Sequence, residues 1–153
     1  MAMLRSFLLL FIIFSMGNAR VKLVLKCPAG WTNFGVRCFK YFSQPNNWIT
    51  AERKCQSLDA NLVSLHNKLE NEFVRSLLPP STTSWAGAHD GEQDGQWMWT
   101  DGTAFDFKGW CSGEPNNSQR NPENCLEINH TTNRCWNDAV CKESRHYVCA
   151  KEM

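Results

Sequence analysis

The chain has 153 residues, with 16 Lys and Arg against 15 Asp and Glu, and it carries seven Trp, nine Phe and eight Cys. So even a charge balance, with no basic block, argues against a nucleic-acid surface, which needs a dense positive patch. The length suits one domain able to bury a core.

Arg5, the apolar run Phe7 to Phe14 and the small-x-small pattern Gly17-Asn18-Ala19 predict a signal peptide over residues 1–19 and a mature chain, 20–153, forming a single domain. The run is shorter than the roughly 20 apolar residues a membrane span needs. No later segment qualifies, so the expected product is secreted and extracellular, with no transmembrane anchor. Cleavage removes Arg5 and no acid, which leaves fifteen basic against fifteen acidic residues among 134.

Val21, Leu23 and Leu25 alternate weakly and predict an edge strand before Cys27. From Cys27 to Phe42 the spacing reads as a hairpin, with Gly30 and Gly35 as turn points. Pro45-Asn46-Asn47 breaks it. Trp48, Ala51, Cys55 and Leu58 then fall on one helical face, capped by Asn46 or Asn47. Leu62 to Leu65 is a short apolar strand. A second helix starts at Asn67, with Glu70 in capping-box position; it is expected to bury Leu69, Phe73 and Leu77 and to stop at Pro79-Pro80. Beyond Ser84, strands are predicted at Trp85–Ala88, Gln96–Trp99, Cys125–Ile128 and Tyr147–Cys149. Asp101 to Asn124 has sparse strand signals, and a loop of that length inside a compact domain is usually functional or disordered.

Cys27, Cys38, Cys55, Cys111, Cys125, Cys135, Cys141 and Cys149 all follow the leader, and an even number in an exported chain reads as four disulfides. Sequence alone leaves their pairing open. There is no C-x₂-C pair and the four histidines are scattered, so zinc is not expected. Between Glu114 and Asp138 lie five side chains that offer only oxygen to a cation: the carboxylates of Glu114, Glu123 and Asp138 and the amide carbonyls of Asn116 and Asn137. Hard oxygen ligands select Ca²⁺ over softer metals. These residues predict one calcium site, built on loops, that keeps coordination positions for an outside oxygen. Asp90, Glu92 and Asp94 read as a solvated charged loop, and Trp97, Trp99 and Trp136 as core.

Taken in order, Gly30-Trp31, Trp48/Ala51/Cys55, Leu62-Val63-Ser64, Trp85-x-Gly87, Trp97-x-Trp99, Glu114-Pro115-Asn116, Cys125, Trp136-Asn137-Asp138-x-x-Cys141 and Cys149 resemble the C-type lectin domain over essentially all of Cys27 to Lys151. The resemblance implies an α+β fold with two helices, two small antiparallel sheets and a long calcium-binding loop region. It implies the pairs Cys27–Cys38, Cys55–Cys149 and Cys125–Cys141, leaving Cys111 to Cys135. It also implies a cis bond before Pro115 and calcium held by Glu114, Asn116, Glu123, Asn137 and Asp138, the last through its backbone carbonyl as well. Glu114, Asn116, Glu123 and Asn137 then meet two vicinal sugar hydroxyls, the acids accepting and the amides donating. In the family, Glu-Pro-Asn goes with mannose-type glycans, on glycoproteins or microbial surfaces.

Two departures stand out. The spacing from Glu114 to Glu123 is one residue longer than in many mannose-binding members. Asn117 and Asn124 stand where members with an auxiliary calcium often carry acids, so one principal ion is expected. Sequons occur at Asn116-Asn117-Ser118 and Asn129-His130-Thr131; a glycan on Asn116 would remove a ligand, which makes Asn129 the expected position. An enzyme is not expected, since His89-Asp90 lacks any nucleophile motif. The rival readings on the same scaffold are an ice-binding protein like the fish type II antifreeze proteins and a venom component that binds protein. With every cysteine used internally, any homo-oligomer would be non-covalent.

Overall fold

The computed structural model describes residues 26–117 and 120–153; the expected leader and the strand expected at Val21–Leu25 lie outside these. Gly35, at φ +59°, turns the chain between β1 (Thr32–Phe34) and β2 (Arg37–Asn46). Pro45 does not end β2. A register shift between Phe42 and Asn46 absorbs it, and pairing with the last strand resumes at Asn46.

Asn47 then caps α1 (Trp48–Gln56): its side chain accepts from the Thr50 N–H at 2.9 Å, and Trp48, Ala51 and Cys55 turn inward. After β3 (Asn61–Leu62), Asn67 caps α2 (Lys68–Ser76) by accepting from the Glu70 N–H at 2.8 Å. Leu69 does not join the core, contrary to expectation; it is 70% exposed, while Val74 is fully buried and Phe73 and Leu77 pack at the core's edge. The cause is Glu70. Its carboxylate is drawn inward to Arg37 at 2.7 Å and to the His66 N–H at 3.0 Å, which rotates the helix's buried stripe one residue along.

The other strands are β4 (Ser84–His89), β5 (Met98–Trp99), β6 (Cys125–His130), β7 (Cys135–Ala139) and β8 (Arg145–Glu152). They form one path, β1-β2-β8-β4-β6-β7, with β3 added on β8 and β5 on β4. Two antiparallel groups meet where β4 runs parallel to β8, at Ser84↔His146 and Trp85↔Tyr147. Alternate residues feed two cores. Ala86, Ala88, Leu126, Ile128, Val148 and Ala150 join Val74 of α2 and Leu78 just past its end in one, whereas Trp85, Tyr147 and Cys149 join α1's Trp48, Ala51 and Cys55 in the other. Gly87 has to be glycine because a Cβ there would lie 2.4 Å from the Leu62 carbonyl oxygen.

The disulfides join Cys27 to Cys38, Cys55 to Cys149, Cys111 to Cys135 and Cys125 to Cys141. Asp101 to Asn124 contains no helix or named strand among the described residues. It is seated on an aromatic cluster: Phe105, Phe107 and Trp110 surround Trp136, whose backbone N–H donates to Gly109 and whose carbonyl accepts from Cys111, each at 2.8 Å.

Candidate metal and ligand site

The bond between Glu114 and Pro115 is cis, and the side chains on either side of the proline meet, Asn116 Nδ2 donating to Glu114 Oε1 at 3.2 Å. Asp138, fully buried on β7, closes the turn from beneath. Its carboxylate accepts the backbone N–H of Asn116 at 3.1 Å and that of Asn117 at 2.7 Å. Asn117 reaches the far arm of the loop, its Oδ1 accepting from the Glu123 N–H at 2.9 Å.

Within this frame the acids are poorly neutralised. Glu114 Oε2 is buried without a hydrogen-bond partner. Burial, then the close approach of the Asp138 carboxylate, then the charges of Asp138 and Glu123 push Glu114 up to about 7, against the opposing pull of the Asn116 N–H. Asp90 adds to the crowding. It is 3% exposed, not solvated as the sequence reads; its Oδ1 has no partner, and burial together with the nearby Asp94 and Asp138 raises its pKa.

The structure thus gathers Glu114, Asn116, Glu123 and Asp138 around one turn. Asn137 is placed differently, because it precedes Asp138 on a strand and successive strand side chains leave opposite faces. Its Nδ2 donates to Glu127 Oε1 at 2.8 Å. The site is therefore not wholly a loop site, since two of its five expected ligands sit on β7. Among the described residues no three acidic, histidine or cysteine side chains converge tightly enough to hold a metal by themselves. A cation here requires amide and backbone oxygens too, which is the mixed donor set Ca²⁺ accepts. The unpaired Glu114 oxygen fits that requirement.

The geometry speaks against a glycan at Asn129. That residue is 2% exposed, its Nδ2 donates to the carbonyls of Pro79 at 2.9 Å and Thr82 at 2.8 Å, and its Oδ1 accepts from Arg134 Nε. A sugar on this nitrogen would replace a buried donor with a bulky polar group. We expect peptide mapping of protein secreted from eukaryotic cells to find Asn129 unmodified; a glycopeptide carrying it would mean that this turn is built otherwise. Asn116 is exposed, but Ser118 of its sequon lies outside the described residues.

A Ser-His-Asp alignment does occur, with Ser64 Oγ 3.1 Å from His66 Nε2 and His66 Nδ1 2.9 Å from Asp106. It is not a nucleophile. Ser64 is 1% exposed, and its hydroxyl donates to Asp101 while accepting from Arg37.

The fold, the disulfides and the cis Glu114-Pro115 turn define a C-type lectin domain, and the chain belongs to that family: the family model Lectin C-type domain matches residues 44–151. The family binds and does not catalyse. Similar proteins include ladderlectin of Oncorhynchus mykiss, 42% identical over 78% of this chain, although the chain spans only 64% of ladderlectin. The galactose-specific lectin nattectin of Thalassophryne nattereri is 35% identical, over 89% of this chain and 87% of nattectin. Herring type II antifreeze protein has a similar structure, with a TM-score of 0.79 and 33% identity, covering 83% of this chain and 99% of that one.

Proposed function

We propose that the protein is a secreted, calcium-dependent lectin for mannose-type glycans, exported by cleavage after Ala19. The observation that supports this most is Glu114: a carboxylate with one oxygen buried and unpartnered, crowded by Asp138 and Glu123, is arranged to receive a cation. Bound calcium would supply coordination positions for two vicinal hydroxyls of the sugar. Around them, Glu114 and Glu123 accept hydroxyl protons and Asn116 donates. Asp138 holds the turn that presents these groups. Glu-Pro-Asn favours mannose over galactose as the sugar class, and affinity for a single sugar is expected to be weak, so that multivalency does the binding.

The test is retention on mannose-agarose in calcium, release by EDTA, and competition by free mannose against free galactose. Release by galactose alone would move the protein to the specificity named for nattectin. The similarity to herring type II antifreeze protein favours one second reading, ice binding. Thermal hysteresis on the same sample without retention would establish that instead.

A pH dependence follows. Glu114 folds with a pKa of about 7, above its ordinary 4.5, so the metal-free protein carries no penalty from this group below about 4.5 and loses stability as pH rises towards about 7. Calcium favours the charged form and removes that penalty. Titration calorimetry should show a proton released per calcium near about pH 6, and affinity falling steadily from about pH 8 to about pH 5. Constant affinity over that range would exclude Glu114 as a ligand.

A further inference from the structure

We propose that Glu127 is a positioning residue: it fixes the amide of Asn137 so that the oxygen, and not the NH₂, is offered to the cation. This rests on the calcium reading above. On β6, Leu126 and Ile128 enter the α2-side core, and Glu127 leaves the other face, in register with Trp85 of β4 and Asn137 of β7. It is 2% exposed, a costly place for a carboxylate without partners.

Every partner is supplied. Oε2 accepts from Arg145 Nε at 2.7 Å, Oε1 accepts from Asn137 Nδ2 at 2.8 Å, and His130 Nδ1 lies 2.9 Å from Oε1. Arg145 is itself held, lying 5.3 Å over the Trp85 ring and paired with Glu143.

A side-chain amide has a donor end and an acceptor end, and a carboxylate can only accept. The Glu127 carboxylate therefore takes the nitrogen of Asn137 and turns Oδ1 away from β6, toward the free edge of β7 along which the loop through Trp110 and Cys111 runs to Glu114. An amide released from this contact can rotate, and its NH₂ would repel a cation. One of the two Asn137 N–H bonds is spent on Glu127, leaving one for a sugar hydroxyl. Arg145 neutralises the charge that makes the contact strong. Partners beyond the ligands themselves commonly change metal affinity 10- to 100-fold when removed.

The experiment compares wild type, Glu127→Gln and Glu127→Gln/Asn137→Asp. Calcium affinity is measured by titration calorimetry with calcium chloride, after near-ultraviolet circular dichroism has confirmed folding. Glu127→Gln puts an amide against an amide and is expected to weaken calcium about tenfold or more. The double variant restores a donor–acceptor pair with the polarity reversed and should recover most of that loss, which mere support of Arg145 would not produce. An unchanged affinity in the single variant, or no recovery in the double, overturns the positioning role. If the wild type takes up no calcium, the calcium reading falls and this inference with it. Should Glu127→Gln fail to fold, metal-free wild type still decides the matter by NMR: the Asn137 side-chain N–H must be protected from solvent exchange, and free exchange there overturns the proposal.

Discussion

Asp138→Ala is expected to abolish calcium-dependent retention on mannose-agarose and also to destabilise the metal-free protein. The second effect comes from geometry: the buried carboxylate is the acceptor for the N–H groups of both Asn116 and Asn117. Leaving two such donors without a partner costs about 1–3 kcal/mol each, less whatever water enters the vacated space. Urea unfolding in EDTA would measure it. Asp138→Asn, which keeps the shape and one oxygen, should regain part of the stability but not the calcium. Calcium-dependent sugar binding by Asp138→Ala would refute the assigned site, whatever its effect on folding.

Trp136→Ala should cost about 3–5 kcal/mol, as full truncation of a buried aromatic does. Trp136 is wholly inaccessible, contacts Trp99, Phe105, Phe107 and Trp110 through its ring, and donates from Nε1 to Asn71 of α2 at 3.0 Å. It also packs so tightly on Gly109 that a Cβ there would lie 2.8 Å from the indole. Phe105, Phe107, Gly109 and Trp110 of the long loop all pack on this side chain, and its loss should loosen the Glu114 turn as well as the core. Guanidinium unfolding checks the energy. A loss below about 1 kcal/mol would mean that the loop finds its support elsewhere.

Much of this was legible because the signals are local. Asn47 and Asn67 cap the helices that their positions predict, and the residues that alternate in the sequence alternate between the two cores. The resemblance carried the disulfide pairs and the cis turn, neither of which spacing alone could fix. What escaped depends on partners distant in the chain. Leu69, Phe73 and Leu77 make as good a helical stripe as Glu70, Val74 and Leu78. Arg37, from a strand more than thirty residues earlier, decides between them. Glu127 reads as the outward residue of an alternating strand until Arg145 of β8 is seen beneath it. Strand β7 went unseen because Cys-Trp-Asn-Asp-Ala has no apolar alternation, and its pairing with β6 supplies what the pattern lacks. Asp90 reads as solvated only because its neighbour Asp138 lies far along the chain.

The two cross-links Cys111–Cys135 and Cys125–Cys141 moor both stems of the segment that carries Glu114, Asn116 and Glu123. A protease that cuts once between residues 112 and 124 therefore releases nothing: the halves stay joined through Cys111–Cys135 and Cys55–Cys149. Such a nick becomes visible only after reduction. The segment can also gain or lose residues over evolutionary time without its ends drifting apart, so ligand preference can be rewritten there while the scaffold stays as it is.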